Sequence, residues 1–171
     1  MRNPYAAAYV SGAVGTGALG LLVTVRNAWL GHPPPYAARN IARHVLSRLF
    51  RRKLSRHEAS QWAFALRAGY GPLLGMGWGL VRVRTSKWTL LHSGVLLGLG
   101  VLAFERAAFP LFKATALANT WSRAEHVWLF AQTALFGVVT EATMRWLVKE
   151  EEPDSRNWDD RSQFRSDAGP A

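Results

Sequence analysis

YAAAYVSGAVGTGALGLLVTV, residues Tyr5–Val25, contains 21 residues and no charged side chain. Wound into a helix at about 1.5 Å per residue, it matches the roughly 30 Å hydrocarbon core of a bilayer. Three stretches of the same kind follow, Trp62–Val81, Leu90–Phe112 and Val127–Val148, of 20, 23 and 22 residues. A soluble helix this long carries polar residues every three or four positions along its exposed face, and these do not. The expected fold is all-α: an integral membrane four-helix bundle with spans near 5–25, 60–81, 89–112 and 124–148. Soluble enzyme folds are largely excluded.

Mean hydropathy over the whole chain is close to zero because charge is segregated rather than absent. Most of the 21 Lys and Arg fall in Arg26–Arg56, Arg82–Lys87 and the tail after Lys149. Trp62, Trp78, Trp88, Trp121, Trp128 and Trp146 stand near the ends of the stretches, as an interfacial aromatic belt requires, although Trp78 alone also suits a core. Without cysteine, disulfides and thiolate-held zinc or iron–sulfur centres are excluded. A net charge of +10 beside membrane helices points to anionic lipid headgroups rather than nucleic acid. The first stretch reads as a retained helix, with Ala8, Gly12, Thr16 and Gly20 forming a small-residue packing stripe.

Between the first two spans, Pro33-Pro34-Pro35 makes a rigid corner. An amphipathic helix is expected from about residue 37 to 54. Its apolar face is Ala38, Ile41, Ala42, Val45, Leu46, Leu49 and Phe50; Arg39, Arg43, Arg48, Arg51 and Arg52 occupy the other. Such a helix is expected in the headgroup layer with its arginines on lipid phosphate or on a protein partner. Ser55-x-x-Glu58 and Ser122-x-x-Glu125 are capping boxes that open the second and fourth long helices. Gly71, Gly75 and Gly79 lie on one face of the second span, and Gly94 and Gly98 on one face of the third, where a neighbouring backbone can come close. The short connections predict that successive spans are antiparallel neighbours. A polar tail, 150–171, begins with the helix stop Glu150-Glu151-Glu152-Pro153.

The Gly12-x-x-Gly15-Thr16-Gly17 span, the Pro33-Pro34 corner, Tyr70-Gly71-x-x-x-Gly75, Gly94-x-x-x-Gly98 with Pro110, and His126 leading to Gly137 together resemble the YagU-like family of small bacterial inner-membrane proteins. The likeness covers most of Val10–Gly137. It implies four helices in the inner membrane and carries over no catalytic residue. The Arg-rich run and the charged tail depart from it.

Ionisable groups inside spans are costly and therefore mark candidate sites. Here they are Arg67, Glu105, Arg106, Glu141 and Arg145, with His92 entering at similar depth. Calling the face of the 26–59 loop side one, Arg67 and Glu105 fall in one layer roughly 10 Å deep and are positioned for an interhelical ion pair. Glu141 and Arg145, one turn apart, face side two. Pairing is the plain reading; a proton or ion path through Glu105 and Glu141 is the sharper one. No two histidines face each other inside the bundle, so no haem, metal or other cofactor is expected. The basic residues, ten on side one and eight on side two, leave orientation open. Three functions follow: a non-catalytic accessory or structural subunit that binds lipid and a membrane partner or its own copies; a small transporter or channel component; and a lipid-modifying enzyme. No constellation demands chemistry, which favours the first.

Overall fold

The computed structural model describes residues 3–85, 88–111, 115 and 120–149. They form five helices: α1 (Pro4–Leu30), α2 (Ala38–Leu49), α3 (Arg56–Thr85), α4 (Leu90–Leu111) and α5 (Arg123–Lys149). The expected tail, 150–171, with its helix stop lies outside the described residues, as does Lys113.

The ends of the helices follow from local chemistry. The Asn3 side chain accepts a hydrogen bond from the Tyr5 backbone N–H, and Pro4 supplies a preset φ at the first position of α1. Gly31 closes that helix at φ 70°, its N–H bonded to the Asn27 carbonyl. Both capping boxes form. Glu58 accepts from the Ser55 N–H at 2.9 Å, and Glu125 from the Ser122 N–H at 2.7 Å, with each serine hydroxyl accepting in return. These bonds to Ser55, first from its backbone, and then Arg52, hold the exposed Glu58 carboxyl below its ordinary range. α2 stops at Leu49 rather than near 54, because Arg51 turns into the left-handed region at φ 52°. α3 runs through Pro72 without a break.

α1, α4 and α5 are long and apolar enough to cross a membrane. α3, at 30 residues the longest helix, is more polar, with Gln61, Arg67 and a run of glycines within it. Every long helix also extends past the apolar stretch that announced it, except α4.

The helices are not arranged in chain order. α1 packs along α3 on one side and α5 on the other, α5 carries α4, and α3 and α4 scarcely touch. The short 82–89 connection therefore does not make its two helices packed neighbours. Small residues set this order. A Cβ on Gly12 or Gly75 would run into the facing backbone of α3 or α1, and one on Gly71 into Thr16. Gly79 faces Ala8. Gly94 and Gly98 lie against the α5 backbone at Val138, Thr133 and Ala134. Gly20 is the exception among the expected packing glycines: nothing lies within 4 Å of its missing side chain. Gly15 and Gly137 take up such a role instead, Gly15 against Phe136 and Thr140, Gly137 against Gly94 and Gly98.

α2 lays Ala42 and Leu46 on Leu54 and on Ala63 of α3, with Ala38 packed beside them, so much of its apolar face is covered within the chain. Leu49 and Phe50 remain exposed. Around the long helices the outward surface is strongly apolar, with Leu21, Phe64, Leu73, Leu91, Phe104 and Val127 all exposed. Trp29, Trp62, Trp88 and Trp146 are exposed near helix ends, as a belt requires. Trp78 and Trp121 are instead buried, the latter beside Tyr36 and Leu129.

Candidate functional site

The charges within the long helices separate into two groups at opposite ends of the bundle. At the end holding the start of α4 and the end of α5, Glu141 is fully buried and saturated with donors. Trp78 donates its indole N–H to Glu141 Oε2 at 2.7 Å. Arg82 Nε lies 3.3 Å and Arg145 Nε 2.6 Å from Oε1. Arg145 reaches on to the Trp88 carbonyl and the Ser93 hydroxyl, tying α5 to the start of α4. The predicted Glu141–Arg145 pair is therefore present, within a larger cluster that includes two residues of α3. His92 stays outside it, exposed, with Nδ1 2.6 Å from the Thr89 hydroxyl. Arg106 is likewise exposed on α4.

At the other end, α2 and the proline corner close over the bundle. Tyr36 donates to the Glu125 carbonyl at 3.2 Å and stacks obliquely on Trp121. Burial pushes its phenol up to about 12, opposed in part by the positive charge of Arg26. Arg26 itself, expected in a loop, is fully buried in the last turns of α1. It donates to the His32 carbonyl at 3.1 Å and to Asn27, holding the corner against the helix, while its Nε has no partner.

Beneath this cover lies a cavity of about 230 Å³ between α1, α3, α4 and α5, in the gap left where α3 and α4 separate. Arg67 and Glu105 both border it. They share a layer, as the depth count requires, but no ion pair or hydrogen bond joins them among the described residues. Tyr70 and Gln132 line the same space, and the Tyr70 hydroxyl and the Gln132 side-chain nitrogen are buried without partners. The rest of the wall is apolar and aromatic. Arg67 also borders a second, more polar space of about 500 Å³, lined by Asn27, His32, Arg39 and Ser60. Of the arginines expected to meet lipid, Arg39, Arg43, Arg48, Arg51 and Arg52 are all exposed, and Arg52 pairs with Glu58 at 2.8 Å.

Sequence reasoning missed Arg26, Trp78 and Arg82 as buried-charge partners. The signal was available in the helix lengths: ending each span at its first charge placed Arg26 and Arg82 in loops, one turn too early. Gln132 was overlooked because an uncharged amide is unremarkable until its burial is known.

No known family, curated protein or solved structure matches this chain. The arrangement of its own residues defines a helical protein with three membrane-compatible helices. Among the described residues it has a closed charge cluster at Glu141 and, towards the other end, a cavity bordered by Arg67 and Glu105.

Proposed function

We propose that the chain is a four-span protein of the bacterial inner membrane acting as a non-catalytic accessory or structural subunit. In this reading α3 crosses beside α1, and α2 lies at the headgroup layer on side one. Its exposed arginines meet anionic lipid and an acidic surface of a membrane partner, a chemistry that needs no motif beyond positive charge.

The observation that carries the proposal is the state of Glu141. A carboxylate this buried is expensive unless its charge is met. Here two guanidinium groups and an indole meet it, so its role is to hold α3, α4 and α5 together. A path that used Glu141 as a proton or ion carrier would have to break that cluster at every passage. The lipid-enzyme reading has even less support, since the Thr16 and Thr133 hydroxyls on the cavity wall donate to carbonyls of their own helices rather than to Glu105.

The test is the native mass of the protein extracted into nanodiscs. The proposal predicts an assembly heavier than the 19.0 kDa chain that contains a second polypeptide species. A lone monomer that catalyses proton or ion flux in proteoliposomes contradicts it.

A further inference from the structure

The cavity beneath α2 contains hydrogen-bonding capacity that no described residue uses. Gln132 is 4% exposed, lines the cavity and has an unpartnered side-chain nitrogen. The buried Tyr70 hydroxyl is equally unpartnered. Glu105 and Arg67 border the same space, of opposite sign and unpaired. An uncharged polar group buried unmet is costly, and a charge more so. The Arg26 Nε, the Trp121 indole nitrogen and the Thr140 hydroxyl are also unpartnered among the described residues, but none of those residues lines this cavity. Here two such groups share one wall with two charged side chains, and that concentration marks a place built for an occupant.

The walls state what the occupant is. Leu19, Leu74, Val101, Phe109 and Phe136 require an apolar body. Glu105 calls for a cation or strong donor, and Arg67 for an anion. Since a dry cavity of roughly 150 Å³ admits benzene, one of about 230 Å³ has room for a small headgroup or a short length of chain. α3 and α4 scarcely touch, and Tyr70 and Phe104 meet across their gap with ring centroids 6.1 Å apart. On the far side of Arg67 the polar space brings Arg39 as a second cation for an anionic group.

We infer that this cavity is a binding site for a zwitterionic amphiphile. Its ammonium lies against Glu105, its phosphate against Arg67, and its hydrocarbon chain leaves between α3 and α4. Gln132 and Tyr70 complete the polar end as donors to phosphate oxygens. The inference rests on the membrane reading above, because a bilayer supplies the ligand from the side. It does not depend on whether the chain has a protein partner.

The test uses the full chain in a mild non-ionic detergent, with native mass spectrometry counting bound molecules. Integral membrane behaviour is scored separately, by resistance to alkaline carbonate extraction. The probes are lyso-phosphatidylethanolamine, lyso-phosphatidylglycerol, which lacks the ammonium, and O-phosphoethanolamine, which lacks the chain. The site predicts one saturable lyso-phosphatidylethanolamine per chain, held about tenfold or more tightly than either other probe. Glu105→Gln should erase the preference over lyso-phosphatidylglycerol, and Arg67→Gln should weaken both lipids. Ala108→Phe, which fills the cavity without touching a charge, should weaken both as well. A misfolded variant cannot reproduce a change of preference. Equal, non-saturating uptake of both lipids, unaltered by Glu105→Gln, would overturn the site, and so would lyso-phosphatidylglycerol bound the more tightly. Tight binding of O-phosphoethanolamine would overturn the amphiphile. An integral protein that binds none of the three leaves the membrane reading standing and sinks this one.

Discussion

Trp78 donates its indole N–H to the buried carboxylate of Glu141 across 63 residues of sequence, at 2.7 Å. With the Arg82–Glu141 pair, that bond joins α3 directly to α5. It also gives a donor to Oε2, the carboxylate oxygen that Arg82 and Arg145 leave open, since both of these approach Oε1.

Removing the carboxylate should therefore be among the most damaging single changes in the chain. Glu141→Gln leaves two guanidinium groups facing a neutral amide and should cost about 3–5 kcal/mol, the range for breaking a buried pair. Trp78→Phe loses only the donor and should cost about 1–3 kcal/mol. Thermal unfolding in detergent, followed by tryptophan fluorescence, reads both. If Glu141→Gln unfolds at the wild-type temperature, the cluster is not structural.

The two classes of glycine should respond in opposite directions. Gly75→Leu or Gly137→Val puts a side chain where the neighbouring backbone lies and should separate the helices. Gly17→Ala and Gly20→Ala meet open space within helix α1 and should stabilise it by about 0.5–1 kcal/mol each. The same thermal melts decide, and a destabilised Gly20→Ala would show that an unseen neighbour packs there.

Alkaline pH should loosen the corner between α1 and α2. An unfolded tyrosine titrates near 10, whereas burial pushes Tyr36 up to about 12. Above about pH 10 the unfolded chain gives up this proton and the folded one keeps it. The stability gained by keeping the phenol neutral is thus complete below pH 10 and is lost as pH rises towards 12. Melting temperature should fall across that window less steeply in Tyr36→Phe, which begins lower at neutral pH for want of the bond to the Glu125 carbonyl. Parallel curves for the two proteins would contradict the assignment.

Much of this fold can be read from local sequence, because its signals are local. Ser55-x-x-Glu58 and Ser122-x-x-Glu125 cap the helices they announce, and Glu141 pairs with Arg145 at the spacing of one helical turn. Gly12, Gly71, Gly75, Gly94 and Gly98 meet neighbouring helices as their spacing suggests. What escaped is set through space. The order α3–α1–α5–α4 follows from which small-residue face meets which, and short connections do not reveal it. Arg26 and Arg82 escaped for a related reason: a helix does not end where its apolar run ends, so a charge that looks like a loop residue can lie within the bundle. The cavity follows from both, since it exists only because α3 and α4 stand apart.

In the proposed topology α3 crosses the membrane although it is the least apolar of the long helices. The chain has no cysteine, so single cysteines placed at Asn3, His57, Trp88 and Arg123 can be mapped with an impermeant thiol reagent in sealed vesicles. Four crossings predict that positions 3 and 88 are labelled from one side and positions 57 and 123 from the other. Labelling of positions 57 and 88 from the same side would contradict the account.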